Sequence, residues 1–448
     1  MSFKRYPAYK DSGVEWLGQV PAHWAVKRLK QACHVFPSNV DKKSHDGETP
    51  VLLCNYTDVY YNETIIAGME FMAATASTDQ IAKFTLRAGD TIITKDSETA
   101  DDIAIAAYVP ADLYGVICGY HLSMVRPLPD ADGAFIKRIF DSIYAKSCFA
   151  VLANGLTRVG LGQYALDNVE LAFPPRVEQT QIAAFLDRET AKIDGLVAEQ
   201  RRLMALLKEK RQAVISHAVT RGLNPGATMK PSGIEWLGDV PAHWDVKKVK
   251  HISSRISSGK TPSGGSEIYV DEGITFLRSQ NVYDEGLRLD DVAFITDAVD
   301  TAMAGSRVAA HDILLNITGA SIGRSCVVPI ALPSANVNQH VCVIRLKNIS
   351  MVPLIGWTFK SSSIKNQIDH AQNGAAREGL NFVQIGEMVL ALPPAAEQVF
   401  ISSFLDIESA KFDSLTTEAQ RAIDLLQERR TALISAAVTG QIDVRFAA

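Results

Sequence analysis

One stretch, residues 174–222, limits what this chain can fold into more than any other. After Pro174-Pro175, which cannot sit inside a helix, no proline follows until Pro225, and the only interior glycine is Gly195. Apolar residues recur at Ile182, Leu186, Ile193, Leu196, Leu203, Leu207 and Val214. Steps of three, four or seven mark a coiled-coil seam, narrower than the stripe of a helix lying on a globular core. Glu189, Gln200 and Lys210 interrupt that seam. At about 1.5 Å per residue the spacing predicts a helix roughly 60 Å long.

The stretch returns at the end of the chain, from Pro393, displaced by 219 positions. Glu178-Gln179 matches Glu397-Gln398, and Phe185-Leu186-Asp187 matches Phe404-Leu405-Asp406. Lys192, Asp194, Arg211, Ser216 and Thr220 recur as Lys411, Asp413, Arg430, Ser435 and Thr439. The seam recurs as Ile401, Leu405, Phe412, Leu415, Leu426 and Leu433. A long helix with one narrow apolar stripe needs a partner, and the expected partner is its own copy. The competing expectation is two separate amphipathic helices, each packed on its own domain.

A second repeat precedes each globular part. Residues 11–30 return as 231–250, so that Trp16, Pro21, His23 and Trp24 have copies at Trp236, Pro241, His243 and Trp244. Two Trp with a Pro and a Gly in so short a piece predict a compact non-helical staple. His23 and His243 are expected to be structural partners of the neighbouring Trp rather than site residues. Between the repeats lie residues 31–173 and 251–392, each mixing strand-like and helical runs. Residues 91–94, 103–106 and 122–125 read as strands in the first block. Residues 313–316, 326–328 and 341–344 do so in the second. Asp90, His121 and Arg126 align with Asp312, His340 and Arg345. The expected organisation is a staple at 1–30, a block at 31–173, a helix at 174–221, a linker and second staple at 222–250, a block at 251–392, and a helix and tail at 393–448.

Bulk properties narrow the class. The 448 residues suffice for two or three domains. No run of eighteen apolar residues or apolar signal core occurs, and the six cysteines are scattered without a CxxC pair. That usage fits a reducing cytoplasm and no metal site. The net charge is −5, and residues 31–173 hold ten Lys/Arg against eighteen Asp/Glu. Phosphate neutralisation normally dominates DNA affinity, so bulk electrostatics alone do not announce a DNA binder.

Catalytic signatures are missing. Residues 254–261 (SRISSGKT) imitate a phosphate loop, but Ser254 stands where its first glycine belongs. Residues 318–324 are glycine-rich without dinucleotide-binding spacing. No HExxH or Gly-x-Ser-x-Gly occurs. The acidic run 95–102 reads as a solvated loop. Pro174-Pro175 follows Phe173 and precedes Arg176, and Pro393-Pro394 follows Leu392 and precedes Ala395. The Asn/Asp-Pro-Pro-aromatic motif of a DNA methyltransferase is therefore absent.

The repeated SGxEWLGxVPxHW and PPxxEQxxIxxFLD motifs, with the ISxAVT helix ends, resemble the specificity subunit of type I restriction-modification systems across the whole chain. The resemblance implies an α+β fold. It has two similar α/β-mixed target recognition domains and two long antiparallel helices in an intramolecular coiled coil, with pseudo-two-fold symmetry from duplication. It implies that each domain reads one half of a bipartite, asymmetric double-stranded DNA site and that the coiled coil sets the spacer. The repeats would dock two methyltransferase subunits, which would carry S-adenosylmethionine, and restriction subunits would join the full complex. This chain would itself carry no cofactor, metal or catalysis. Candidate DNA-contacting residues are Lys95, Ser97, Tyr120, His121, Thr157 and Arg158 in the first block. In the second they are Lys260, Thr261, Ser279, Gln280, Asn281, Asn316, Thr318, Ser321, Arg324, Asn338, Gln339 and Arg377. Candidate partner contacts are Trp16, Trp24, Glu178, Gln179, Phe185, Trp236, Trp244, Glu397, Gln398 and Phe404. The alternatives are a coiled-coil scaffold without a DNA role and a single-chain DNA-modifying enzyme.

Overall fold

The computed structural model describes residues 3–261, 268–372 and 379–446. The chain divides into two compact units, residues 1–200 with 420–448 and residues 201–419. Two long helices, Arg176–Arg221 of 46 residues and Ala395–Val438 of 44, each contribute to both units. No helix among the described residues is long and apolar enough to cross a membrane.

In the first unit the globular block holds two four-stranded sheets. One orders Ala106–Tyr108, Thr91–Thr94, Leu122–Pro127 and Cys33–Pro37, all antiparallel. The other orders Met72–Ala76, Thr49–Cys54, Leu113–Cys118 and Thr85–Leu86, with one parallel pair, Leu113–Cys118 on Thr49–Cys54. The second unit repeats both sheets with the same neighbours, including a parallel pair between Ile274–Leu277 and Ala335–Val337. Its first sheet is braced as in the other unit. Asp90 is 0 % exposed and takes a fork of 2.7 Å bonds from Arg126, while Asp312 is 1 % exposed and takes 2.7 and 2.8 Å bonds from Arg345. A buried carboxylate needs such a bidentate partner to offset its desolvation.

The strand expected at 103–106 begins only at Ala106. Ala104 sits at φ 58°, and the Ala104 and Ile105 amides both donate to Thr94, one to its carbonyl and one to its hydroxyl. The chain is kinked by those bonds before ladder pairing starts.

Within each unit the helix segments run antiparallel. In the first, Ile182 and Leu186 share a core with Ile434 and Val438, and Arg430 Nε donates to Asp194 at 3.0 Å. In the second, Ile215 and Val219 share a core with Leu405 and Ile401, and Arg211 donates to Asp413 at 2.6 Å. The seam differs from its expected course. Val197 is buried at 7 %, whereas Leu196 and Leu203 are 52 % and 42 % exposed, and Leu415 is 46 % exposed. Ile193 to Val197 is a step of four, which follows the helix face better than the step of three to Leu196.

The staples lock helix ends. Tyr6 Oη donates to Glu178 at 2.8 Å, the Trp24 indole donates to the same carboxylate at 3.1 Å, and His23 Nε2 lies 2.8 Å from it. Trp244 and His243 reach Glu397 in the same way at 3.0 and 2.9 Å. Each staple also receives the end of the other long helix. Gly440, at φ +76°, lies so close to Pro21 that a Cβ would meet its ring at 2.2 Å, and Gly222, at φ +75°, abuts Trp244. Both positions need a left-handed cap without a side chain. At roughly 200 Å² per indole and about 25 cal/mol per Å², each buried Trp contributes on the order of 5 kcal/mol before ordering entropy.

Candidate nucleic-acid interface

In the first unit one sheet edge gathers most of the candidate residues. The loop after Thr91–Thr94 carries Lys95 to Ser97, the turn before Leu122–Pro127 carries Tyr120 and His121, and Val159–Gly160 pairs with Asp96-Ser97. Asp96 is the hub. His121 Nδ1 lies 2.7 Å from one oxygen, and Arg158 donates to the other at 2.7 Å. The Tyr120 and His121 ring centroids are 3.7 Å apart, and Lys95 Nζ donates to the Ser38 carbonyl at 3.3 Å. Thr157, Arg158 and Tyr120 are exposed, whereas Ser97 is 2 % exposed and paired in a strand.

The acidic run 95–102 is thus more organised than a solvated loop, because Asp96 holds the His–Arg pair and Asp102 accepts from Tyr60 at 2.8 Å. Tyr60 stacks on Tyr56 and meets Tyr61 edge-on beside this rim. These aromatics were outside the candidate set, although the run 56–61 with three Tyr is the signal that would have found them.

In the second unit the equivalent edge carries different chemistry. Thr318 stands where the first unit has Asp96, and its hydroxyl lies 2.5 Å from His340 Nδ1. Gln339 is exposed and bonds both His340, at 3.3 Å, and Thr261. Asn338 Oδ1 accepts the His340 amide at 3.0 Å and so shapes the same turn. Lys260 is exposed, and Ser321 and Arg324 are half-buried. Arg324 and Arg288 both stack on Tyr283, at 4.8 and 3.7 Å from its centroid. Gly259 of the imitation phosphate loop is a close backbone approach, since a Cβ there would strike the Val337 carbonyl.

Three candidate contacts need correction. Ser97, Asn281 and Asn316 are buried at 2 %, 2 % and 0 %. Asn281 Nδ2 donates to the Arg288 and Asp291 carbonyls, and Asn316 Nδ2 to the Ser279 carbonyl at 2.8 Å. Closed inside the chain, these side chains hold loop shape and cannot reach base edges as they stand. Gln280 is exposed but tied to Asp291 at 2.6 Å, and half-buried Ser279 offers its carbonyl to Asn316. Arg377 lies outside the described residues.

Most candidate partner contacts are likewise internal. Trp24, Trp244, Glu178, Gln179, Phe185 and Gln398 are all buried. Gln179 accepts the Asp132 amide at 2.8 Å and donates to the Pro174 carbonyl at 2.9 Å, while Phe3 packs edge-on against Phe185 at 5.4 Å. Glu397, Phe404 and Trp236 are half-buried, with His370 packed 5.1 Å from the Trp236 ring, and Trp16 is 57 % exposed. Phe400 and Ile407 form an exposed stripe with Phe404 at helical spacing, a patch the repeat-based reading missed.

Among the described residues no group of three or more His, Cys, Asp or Glu is placed to hold a metal ion. A family model for the type I restriction modification DNA specificity domain matches residues 21–201 and again 241–424. A protein provisionally named as the MjaX type I restriction enzyme specificity subunit of Methanocaldococcus jannaschii is 21 % identical over 438 residues, covering 96 % of each chain. The EcoBI type I restriction enzyme specificity subunit of Escherichia coli is 25 % identical over 70 % of this chain and 67 % of its own. A chain of a solved type I R-M system, studied for complex assembly and conformational transition, shares the fold. Its TM-score is 0.71 at 15 % identity, over 94 % of this chain and 98 % of that one. With two matches that together span most of its length, the chain belongs to the type I restriction-modification DNA specificity family, and it is similar along its length to specificity subunits.

Proposed function

We propose that this specificity subunit reads a bipartite, asymmetric DNA site, one half with each recognition block. The observation that carries the reading is one scaffold with two unlike rims. Identical strand neighbours present an Asp–His–Arg cluster in the first unit and a Thr–His–Gln cluster with stacked arginines in the second. Exposed polar groups on a rigid edge are what direct readout of base edges requires. Tyr120, His121, Thr157 and Arg158 are the proposed contacts of the first block. Lys260, Thr261, Thr318, Arg324 and Gln339 are those of the second. Two continuous helices of about 69 and 66 Å would set the base pairs between half-sites.

Chemistry belongs to partners in this reading. Two methyltransferase subunits, using S-adenosylmethionine, would dock on the repeated segments and modify the site, with restriction subunits completing the complex in the cytoplasm. The second block holds eleven Lys/Arg against thirteen Asp/Glu, and the first is more acidic. Backbone phosphates would therefore be clamped mainly by the partners.

Methylome sequencing with and without the gene tests the assignment. A split methylated motif should vanish with the gene, and an unchanged methylome would refute it. The isolated chain should bind its site weakly, and methyltransferase should restore affinity. Tight binding by the chain alone with a steep salt slope would remove the partner-clamp account. Binding of S-adenosylmethionine to the isolated chain would favour a single-chain enzyme instead.

A further inference from the structure

The two units differ at one repeated ion cluster. In the first, Glu63 reaches from the recognition block to Lys137 at 2.8 Å, Arg138 at 3.2 Å and Arg430 of the second long helix. Asp141 and Asp187 complete the cluster, at 2.7 Å from Lys137 and 2.8 Å from Arg138. Every cation there has at least one carboxylate.

A shift of 219 turns Lys137, Arg138 and Asp141 into Gly356, Trp357 and Lys360. The acid has become a base. Arg211, the copy of Arg430, meets one carboxylate, Asp413, and otherwise the neutral hydroxyl of Ser409. Lys360 Nζ lies 4.5 Å from the Trp357 ring, and among the described residues no carboxylate lies within ion-pair distance of it. Burial pushes its ammonium below the usual lysine range, outweighing the nearby Asp284 carboxylate, and Arg211 adds to the push. The surroundings form a cleft of about 590 Å³ whose charged lining is Lys208, Arg211, Arg288, Lys360 and Lys365 against Asp284, Glu285 and Asp413, with Asp284 paired to Lys365 and Asp413 to Arg211. A desolvated ammonium without a direct ion pair is costly, and the first unit shows the remedy as a built-in anion.

We propose that this cleft of the second unit binds a small phosphate-bearing ligand, which supplies there the negative charge that Glu63 supplies in the first. A volume of this order suits a small molecule up to a nucleoside phosphate. Among the described residues Lys208, Arg288 and Lys360 make no ion pair and outnumber Glu285, and such a set suits a multiply charged phosphate better than a single carboxylate. The ligand ties the recognition block to both long-helix segments of its unit. This inference does not need the DNA-reading assignment, although Arg288 also stacks on Tyr283 beside Arg324 of the proposed rim.

Isothermal titration of the full-length chain with inorganic pyrophosphate, at constant ionic strength, tests it. The expected result is saturable one-to-one binding, weakened at least tenfold by Lys360→Met and by Arg288→Gln and kept by Lys360→Arg. Arg288 is exposed, so its variant reports on the site without endangering the fold. Hydrogen exchange in residues 204–216 should slow on binding. Absence of saturable heat, or affinity unchanged from the parent chain in both charge-removing variants, overturns the proposal. Displacement of pyrophosphate by a short DNA duplex also overturns it, because the cleft would then belong to the DNA path.

Discussion

At the scale of single residues, two glutamates carry weight out of proportion to their size. Glu178 is 5 % exposed and satisfies the Tyr6 hydroxyl and the Trp24 indole together. Glu178→Ala strands both donors, and a buried unpaired donor costs about 1–3 kcal/mol. The expected loss is about 3 kcal/mol, read as faster native-state hydrogen exchange across residues 3–200. Glu397→Ala should cost about 1 kcal/mol across 201–419, since Glu397 is partly exposed and no bond from a Tyr6 counterpart reaches it. Equal losses would contradict this. For Glu63, burial pushes the carboxyl upward, but the Lys137 ammonium, with Arg430 and Arg138, outweighs it, leaving the group at about 2 against 4.5. A depressed carboxyl contributes stability that is complete above the unfolded value and fades as pH falls through the folded one. The contribution should vanish between about pH 4.5 and 2, and it is on the order of 1 kcal/mol because half the side chain is solvent-screened. Glu63→Gln should flatten the first unit's pH dependence in that window, followed by hydrogen exchange or urea midpoint.

At the scale of elements, the long helices show how far periodicity reaches. Their existence follows from proline-free amphipathic runs with glycine at the ends, and the structure places them at Arg176–Arg221 and Ala395–Val438. Their inward face was legible at Ile182, Leu186, Ile193, Ile401, Leu405 and Phe412, and misread at Leu196, Leu203 and Leu415. Mid-helix, several leucines crowd both faces, and hydropathy does not say which one meets a neighbour. Val197→Asn should destabilise the first unit by about 2 kcal/mol. Leu196→Gln should stay within about 0.5 kcal/mol in the isolated chain. A reversed order in thermal or urea unfolding would restore the expected seam. Gly440→Ala should cost more than about 1 kcal/mol, combining a strained φ with the clash on Pro21.

At the scale of the whole molecule, duplication has kept the scaffold and released the rims. The buried Asp–Arg fork recurs bond for bond and the Glu–Trp–His clip recurs with the same partners, while Asp96 becomes Thr318 and Asp141 becomes Lys360. If the helix pair sets the spacing of half-sites, one heptad inserted into each long helix adds roughly 10 Å, or about three base pairs at 3.4 Å each. The methylated motif should then gain spacer positions with its half-sites unchanged. Altered half-sites with the old spacer would refute the link.

The amino-acid order alone determined the duplication, the two long helices and the family. Those rest on local periodicity and on identities at a fixed displacement, both readable along one dimension. Only the tertiary structure decided that Glu178 serves three side chains far away in the chain, that Asn281 and Asn316 face inward, and that Lys360 lines a cleft in which Asp284 and Asp413 are taken up by Lys365 and Arg211. Side-chain direction and long-range pairing depend on which surfaces meet, and no local pattern encodes that meeting.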